Sequence, residues 1–439
     1  LALTSWTFYR DTLADSLMLY FGGILAGLVL VFTMPRVLNL TLKPDQIYPL
    51  YCFRYSLQRT ISRLTNIKLF TYLFGDSSYI VGYLRVLGYN LSQVEQTGSN
   101  FGVEVKHEIP FLSSIGSGTM VSDGLSLINA EFSNTSFRVA KTSIGPRNFL
   151  GNNIVYPAQG RTGDNCLLAT KVMIPLDGKL RENVGLLGSP CFEIPRSVQR
   201  DSQFDHLKNG VELRRGLAAK NRHNTVTMGL YLLLQCLGFC GILLVNLAAS
   251  TLYDRIGSIA TAAGIFGSLI FMVTYWVLVE RAVHGFRVLK PRFCSIYDPI
   301  FWQHERFWKM SAGRYLAFFN GTPFKNLIWR LLGVRMGSRV FDDGCAIPEK
   351  TLVTIGNDSV LNSGSTIQCH SLEDGTFKSD HITIGTGCTI GTNAFVHYSA
   401  IIGESAVLAP DSFLMKGGEM APYTQWRGNP ATEVPACQP

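Results

Sequence analysis

The sequence predicts membrane α-helices plus an all-β portion, built as two tandem left-handed parallel β-helix domains separated by a transmembrane hairpin. Three observations carry this prediction. Three long stretches lack Asp, Glu, Lys and Arg. An aliphatic residue recurs at every sixth position in two regions, and those regions superimpose at a constant offset of 240 residues, Ile115 onto Ile355.

A chain of 439 residues exceeds what one core usually organises, roughly 250–300 residues, so several units are expected. Net charge is +8, 16% of residues are charged and mean hydropathy is +0.17. That balance suits a mixed membrane and soluble protein. The ten cysteines are scattered and form no CxxC, which points to reduced thiols and to neither a zinc site nor a disulfide framework.

The charge-free stretches are 16–35, 225–253 and 256–279. Each reaches the roughly 20 residues a helix needs to cross a bilayer, and the second contains "GLYLLLQCLGFCGILLVNLAA". Only Asp254 and Arg255 separate the second from the third, so these two form a hairpin. Basic residues flank the spans at Arg36, Lys43 and Arg54, at Arg214, Arg215, Lys220 and Arg222, and at Arg281, Arg287 and Lys290. By the positive-inside rule both β-helix domains face the cytosol in a multi-pass protein. The amino terminus then begins outside, and the first residue is Leu1, so a piece of a longer chain is expected.

The six-residue repeat is clearest in "IGTGCTIGTNAFVHYSAIIGESAVLAPDSF", with Ile384, Ile390, Val396, Ile402 and Leu408 in step. Small residues follow at Cys388, Ala394, Ala400, Ala406 and Ser412, and Gly385, Gly391 and Gly403 succeed an aliphatic residue. A period of six is neither the 3.6 of a helix nor the 2.0 of a strand. It belongs to a prism whose three short faces make a coil of about 18 residues, with the aliphatic side chains inside. The same clock runs through Ile144, Leu150, Tyr156, Thr162, Leu168 and Ile174. Shorter runs precede each, at Ile115, Val121, Leu127 and at Ile355, Leu361, Ile367, and each then breaks before its long run resumes. A loop leaves the prism at that point in both copies. "GSPCFEIP" and "GNPATEVP" align at the two ends. The resulting division is 1–36 a membrane helix with a short lead, 37–110 linker helices, 111–195 the first β-helix, 196–224 a basic linker, 225–279 the membrane hairpin, 280–335 linker helices and 336–436 the second β-helix.

Duplication supplies an internal control, because what the fold requires persists in both copies whereas chemistry can survive in one. His370 faces Ala130, Glu373 faces Ser133, Asp374 faces Asn134, His381 faces Lys141 and His397 faces Pro157. Near the end Lys416, Trp426 and Arg427 face Leu176, Leu186 and Leu187. The polar set belongs to copy two, which is expected to be catalytic, with copy one non-catalytic. A loop histidine followed by carboxylates suits a general base whose proton-bearing nitrogen a carboxylate holds. His370, Glu373, Asp374 and His397 are therefore the catalytic candidates, and Lys416, Trp426, Arg427 and His381 the substrate-binding ones. Lys416 or Arg427 suits an anionic group or developing oxyanion. The bland alternatives are that His370 is a solvated loop residue and that His397 points outward at the surface. Cys369 is a weak nucleophile candidate, Cys388 reads as core, no metal is expected, and "GDSSYI" from Gly75 reads as a helix cap or turn in preference to a pantetheine-carrying serine motif. The basic linkers mark a membrane face and do not call for nucleic acid.

The spans alternating with tandem β-helices, "GTPFKNLIWRLLGVRMG" from Gly321, "CHSLEDG" from Cys369, "SFLMKGGE" from Ser412 and "QWRGNPA" from Gln425 resemble the carboxy-terminal region of the ε-poly-lysine synthetase type of nonribosomal peptide synthetase. In that family adenylation and carrier domains precede a membrane region with three tandem acyltransferase-like domains. The resemblance implies that His370, Glu373 and Asp374 match an "HxxED" stretch and Lys416 an "MKGE" stretch, with departures at Gly375, where a basic residue is expected, and at the inserted Gly418. It further implies an aminoacyl or acyl transferase that forms amide bonds from a phosphopantetheine-linked substrate, with no cofactor bound in this chain. Carrier and adenylation domains, the lipid bilayer and a pseudo-trimer or homo-oligomer of β-helices are the expected partners. The rival expectation is a non-catalytic β-helix scaffold that docks synthetase domains at the membrane.

Overall fold

The computed structural model describes residues 2–91, 101–196, 203–208, 210–311 and 313–435. Parts of the expected basic linker, 197–202 and 209, and the end of the second β-helix at 436 lie outside the described residues. Among the described residues, three helices are long and apolar enough to cross a membrane: α1 (Ala2–Asn39), α5 (Gly210–Ile256) and α6 (Ser258–Val283). Their apolar side chains are largely exposed, Met18, Leu19, Ile265 and Phe266 among them, as suits surfaces that meet lipid. The break between α5 and α6 falls at Gly257, whose φ of 55° is a backbone state glycine adopts without a Cβ penalty. From Gly210 onward the stretch read as a basic linker is instead the first turns of α5, since it holds no Pro and, after Gly210 itself, a single Gly before residue 224, Gly216.

Between these spans each copy repeats one plan. Short helices α2 (Phe53–Thr65), α3 (Lys68–Phe74) and α4 (Ile80–Leu87) precede the first prism, and α7 (Pro299–Met310) and α8 (Pro323–Leu332) precede the second. Helices α4 and α8 end alike, at Gly88 and Gly333 in left-handed geometry, the usual device for turning a chain out of a helix. Two- and three-residue strands then stack in parallel. In copy two Ile384 pairs with Ile402 and Ile402 with Met420, while Ile390 pairs with Leu408 and Leu408 with Trp426. Aliphatic residues six apart therefore point into one shaft, and Leu361, Ile367, Ile390, Val396 and Leu408 are all fully buried. The glycines after them permit close stacking: a Cβ at Gly391 would lie 2.4 Å from the backbone nitrogen of Pro410 in the next coil.

Both prisms lose step at the expected place. In copy two the excursion forms a hairpin, His370–Ser371 against Thr376–Ser379, which also pairs with Arg292–Ser295 ahead of α7. Copy one does the same with Ala130–Phe132, Ser136–Val139 and Ile47–Pro49.

The two prisms dock side by side. Asn152 donates to Gln368 at 3.0 Å, Asn429 donates to the carbonyls of Thr170 and Lys171 at 3.2 and 3.0 Å, and Lys171 pairs with Asp411. Arg196 forks onto Asp374 with contacts of 2.7 and 3.1 Å, both side chains nearly sealed from solvent. Met120 and Phe149 of copy one join Phe301, Leu372 and Phe377 in a shared apolar cluster. Removing one partner of a buried ion pair strands the other at a cost of about 3–5 kcal/mol. Arg196→Met should therefore lower the apparent melting temperature of the detergent-solubilised chain, whereas removal of the exposed Arg339 partner of Asp358 should leave it within a degree or two. Equal effects of the two substitutions would contradict the docking described.

Candidate active site

A cavity of about 680 Å³ lies where the prisms meet, walled by Phe149, Asn152, Leu167 and Thr170 from copy one and by Gln368, His370, Glu373, His397 and Lys416 from copy two. A single smooth prism offers no such recess; two docked side by side enclose one.

His370 opens the loop hairpin. Its Nδ1 donates to Glu349 Oε1 at 2.7 Å, which assigns the proton to that nitrogen and leaves Nε2 without a partner among the described residues. The indole of Trp308 packs against the imidazole with ring centroids 4.4 Å apart. Its backbone carbonyl accepts from Gln368 Nε2 at 3.1 Å and His397 Nε2 at 3.0 Å. Because Gln368 also accepts from Asn152, the position of the histidine is tied to copy one.

Glu349 is the centre of this arrangement and is completely buried. Besides His370 it accepts from Trp308 Nε1 at 2.7 Å, from the backbone N–H of Cys369 at 2.9 Å and from His304 Nε2 at 3.4 Å. Burial by itself would raise its carboxyl pKa, but the charge of His370 and the hydrogen bonds from His304 and His370 outweigh that and hold it well below the usual carboxylate range. Burial pushes His304 down. The same cause, reinforced by the charges of His370 and Lys416, lowers His397 to about 3, so His397 is a neutral donor at physiological pH. A buried carboxylate holding one nitrogen of an imidazole that lines a cavity is an arrangement suited to general acid–base chemistry.

The other expected residues divide. Glu373 and Lys416 both line the cavity and pair with each other at 3.2 Å, so neither carboxylate of "LED" orients His370 as expected. Asp374 is instead turned to Arg196 of copy one and fastens the interface. His397, weighed as an outward surface residue, lines the cavity because the neighbouring copy covers its corner. His381 is largely exposed beside Asp380 at 3.3 Å and lies outside the cavity. Trp426 and Arg427 are also outside it. Trp426 stands in register with Leu408 and closes the apolar shaft at its end, while alternation along the strand turns Arg427 to solvent. Cys369 is fully buried, its thiol pushed well up by burial and by the Glu349 charge; such a thiol is a poor nucleophile. Cys388 is core. Ser77 of "GDSSYI" is fully buried with its hydroxyl donating to Phe74 O at 2.5 Å, which is a helix-end turn.

Glu349 escaped the sequence reading because it lies 21 residues before His370. The copies do carry a signal: at the shared offset Glu349 faces Ile109, an apolar residue that is itself fully buried. A charge at a position that copy one keeps apolar marks a residue retained for something other than packing.

No family model matches the chain. The chain is 26% identical to the delta-poly-L-ornithine synthetase of Acinetobacter baumannii (strain AB307-0294) over 368 residues, which is 80% of this chain and 26% of that protein. The chain thus spans about a quarter of the length of the curated relative it matches. Among solved structures, a hexapeptide-repeat containing acetyltransferase from Vibrio cholerae is 16% identical with a TM-score of 0.26, covering 30% of this chain and 92% of its own. Serine acetyltransferase from Brucella abortus strain S19 is 13% identical with a TM-score of 0.20, covering 51% and 74%.

Proposed function

We propose that this chain is the membrane-anchored transferase region of a peptide synthetase and joins an acyl or aminoacyl group, delivered as a thioester, to an amine. One observation carries the reading: His370 is held at Nδ1 by the buried Glu349, has no hydrogen-bond partner at Nε2 among the described residues, and lines a cavity between the two copies. The similarity to a synthetase that is named for an amide-linked polymer agrees with it. The acyl donor is read as a pantetheine arm on a carrier domain, supplied with adenylation upstream or in trans, and both prisms as cytosolic.

In this reaction the amine nitrogen attacks the thioester carbonyl while its proton passes to His370 Nε2. The C–N bond forms, the C–S bond breaks, and the imidazolium returns the proton to the departing thiolate. Glu349 stabilises the imidazolium in between, and its burial strengthens that interaction because little water screens it. His397 and Gln368 hold the backbone of His370 in place. Membrane anchoring raises the local concentration of a tethered carrier.

The test is amide formation by the complete membrane-embedded synthetase with loaded carrier and free amine. His370→Ala should lower single-turnover product formation by about 10²–10⁴-fold, the usual worth of a general base. Glu349→Gln should lower it less, and Lys141→Ala in copy one should leave it unchanged, with carrier loading intact in all three. Full activity of His370→Ala would defeat the transferase reading at this site and favour the scaffold.

A further inference from the structure

The membrane hairpin and the second β-helix share an apolar contact that sets the depth of α8. Met272, Val273, Trp276 and Val277 of α6 pack in one cluster with Ile328, Trp329 and Leu332 of α8. Those four residues belong to the charge-free stretch 256–279, and the first charge after it is Glu280. At 1.5 Å per residue, Trp276 lies about 6 Å and Met272 about 12 Å inside the level of Glu280. Helix α8 is therefore level with the end of the hydrocarbon core nearest the prisms, where a helix can lie along the boundary between headgroups and acyl chains. Its carboxy-terminal end is fastened there: Arg281 donates to Leu332 O at 3.4 Å, and Thr351 Oγ1 accepts from the backbone N–H of Leu289 at 3.0 Å.

The helix has two faces. Lys325, Ile328, Trp329 and Leu332 are buried, and Lys325 and Trp329 line the shared cavity. On the other side Phe324, Leu327 and Leu331, spaced at i, i+3 and i+7, are 62%, 54% and 51% exposed. Phe318, in the turn Gly313–Phe319 that precedes the helix, and Phe341, whose ring lies beside Gly321, are exposed at its amino-terminal end. A concentration of large apolar side chains of this kind is rare on a surface that faces water. Phe286 and Val288, in the connection that leaves α6, are exposed as well, with Arg287 and Lys290 among them. Apolar residues interleaved with basic ones suit a leaflet that carries anionic headgroups.

Copy one differs at the same positions. Counted back from Gly88 and Gly333, the glycines that end α4 and α8, the stripe positions hold Tyr79, Gly82 and Val86 in copy one. The Tyr79 hydroxyl shares a hydrogen bond of 2.7 Å with Thr225 of α5, so a helix of this chain meets α4 there. Phe324, Leu327 and Leu331 hold no side-chain atom capable of such a bond, which suits acyl chains as the neighbour.

We propose that α8 is an interfacial helix whose Phe324, Leu327 and Leu331 stripe is immersed in the bilayer leaflet on the side of the prisms, so that a single helix separates lipid from the shared cavity. One face of α8 meets acyl chains while the other presents Lys325 and Trp329 to the cavity. Lipid thereby helps to fix how the second prism stands. Its coils stack away from α8, from Arg335–Met336 just after the helix to Glu419–Met420 at the far edge of the same five-stranded sheet. Neighbouring strands about 4.8 Å apart put that edge about 19 Å further out.

The experiment is photolabelling of the full chain in phosphatidylcholine–phosphatidylglycerol vesicles doped with a phospholipid that carries a diazirine on its acyl chain, with adducts located by mass spectrometry. Adducts should fall on 324–331 as well as on 256–279. Tyr423, which is 77% exposed and lies just past the far edge of the sheet, should carry none. Leu327→Glu combined with Leu331→Glu should lose the adducts on α8 and keep those on α6. Labelling of 256–279 with none on 324–331 in the unaltered chain would overturn the proposal, and that measurement needs no variant to fold. Labelling of Tyr423 equal to that of α8 would overturn it too, since the probe would then report exposure alone. Protection of 324–331 that grows with the density of the chain in the vesicles would overturn it in favour of a second copy of this chain as the occupant.

Discussion

A single carboxylate, that of Glu349, sets the geometry of everything around the site. It is removed from water and receives four donors, from His370, His304, Trp308 and the backbone of Cys369. A buried charge persists only if it is well paired, so the loop hairpin carrying His370 and the helix α7 carrying His304 and Trp308 are both held to it. The next residue extends the network toward the membrane: Lys350 pairs with Glu280 at the end of α6 at 2.8 Å and donates to Ser311 at 2.6 Å. Membrane hairpin, linker helix and β-helix thereby meet within two consecutive residues.

Duplication explains how such a site arises beside a prism that has no cleft of its own. Each copy keeps the stacking glycines, the inward aliphatic residues and the helix that enters the prism. Copy two has Glu349 where copy one has Ile109, and His370 where copy one has Ala130. Copy one in turn carries Asp76 and Asp123 toward the shared cavity. The two have diverged from one framework into complementary walls, and the contacts that join them, Asn152 to Gln368 and Arg196 to Asp374, also support the residues that line the cavity.

The fold was legible because it is periodic. A hexad that places Ile384, Ile390, Val396, Ile402 and Leu408 in one shaft repeats often enough to outweigh local ambiguity, and a span free of charge over 20 residues admits few alternatives. The site was legible only in part, since its members are neighbours in space and not in sequence. His370, Glu373, His397 and Lys416 stood out because copy one lacks them, and all four line the cavity. Asp374 was misread because adjacency to Glu373 says nothing about which way a left-handed residue at φ 50° turns. Trp426 was misread because the last inward position of a prism must be filled by something large. Glu349 was missed for the opposite reason: it lies away from the polar loop, and only the folded chain brings it to His370.

The most direct test of the Glu349–His370 pair is chemical rescue. In the His370→Ala enzyme, added imidazole should enter the space left by the side chain, bind against Glu349 and restore a measurable part of single-turnover amide formation. In His370→Ala combined with Glu349→Gln the same imidazole should restore far less, because the carboxylate that holds and charges the base is gone. Equal rescue in the two backgrounds, or none in the first while the protein remains folded, would contradict the account.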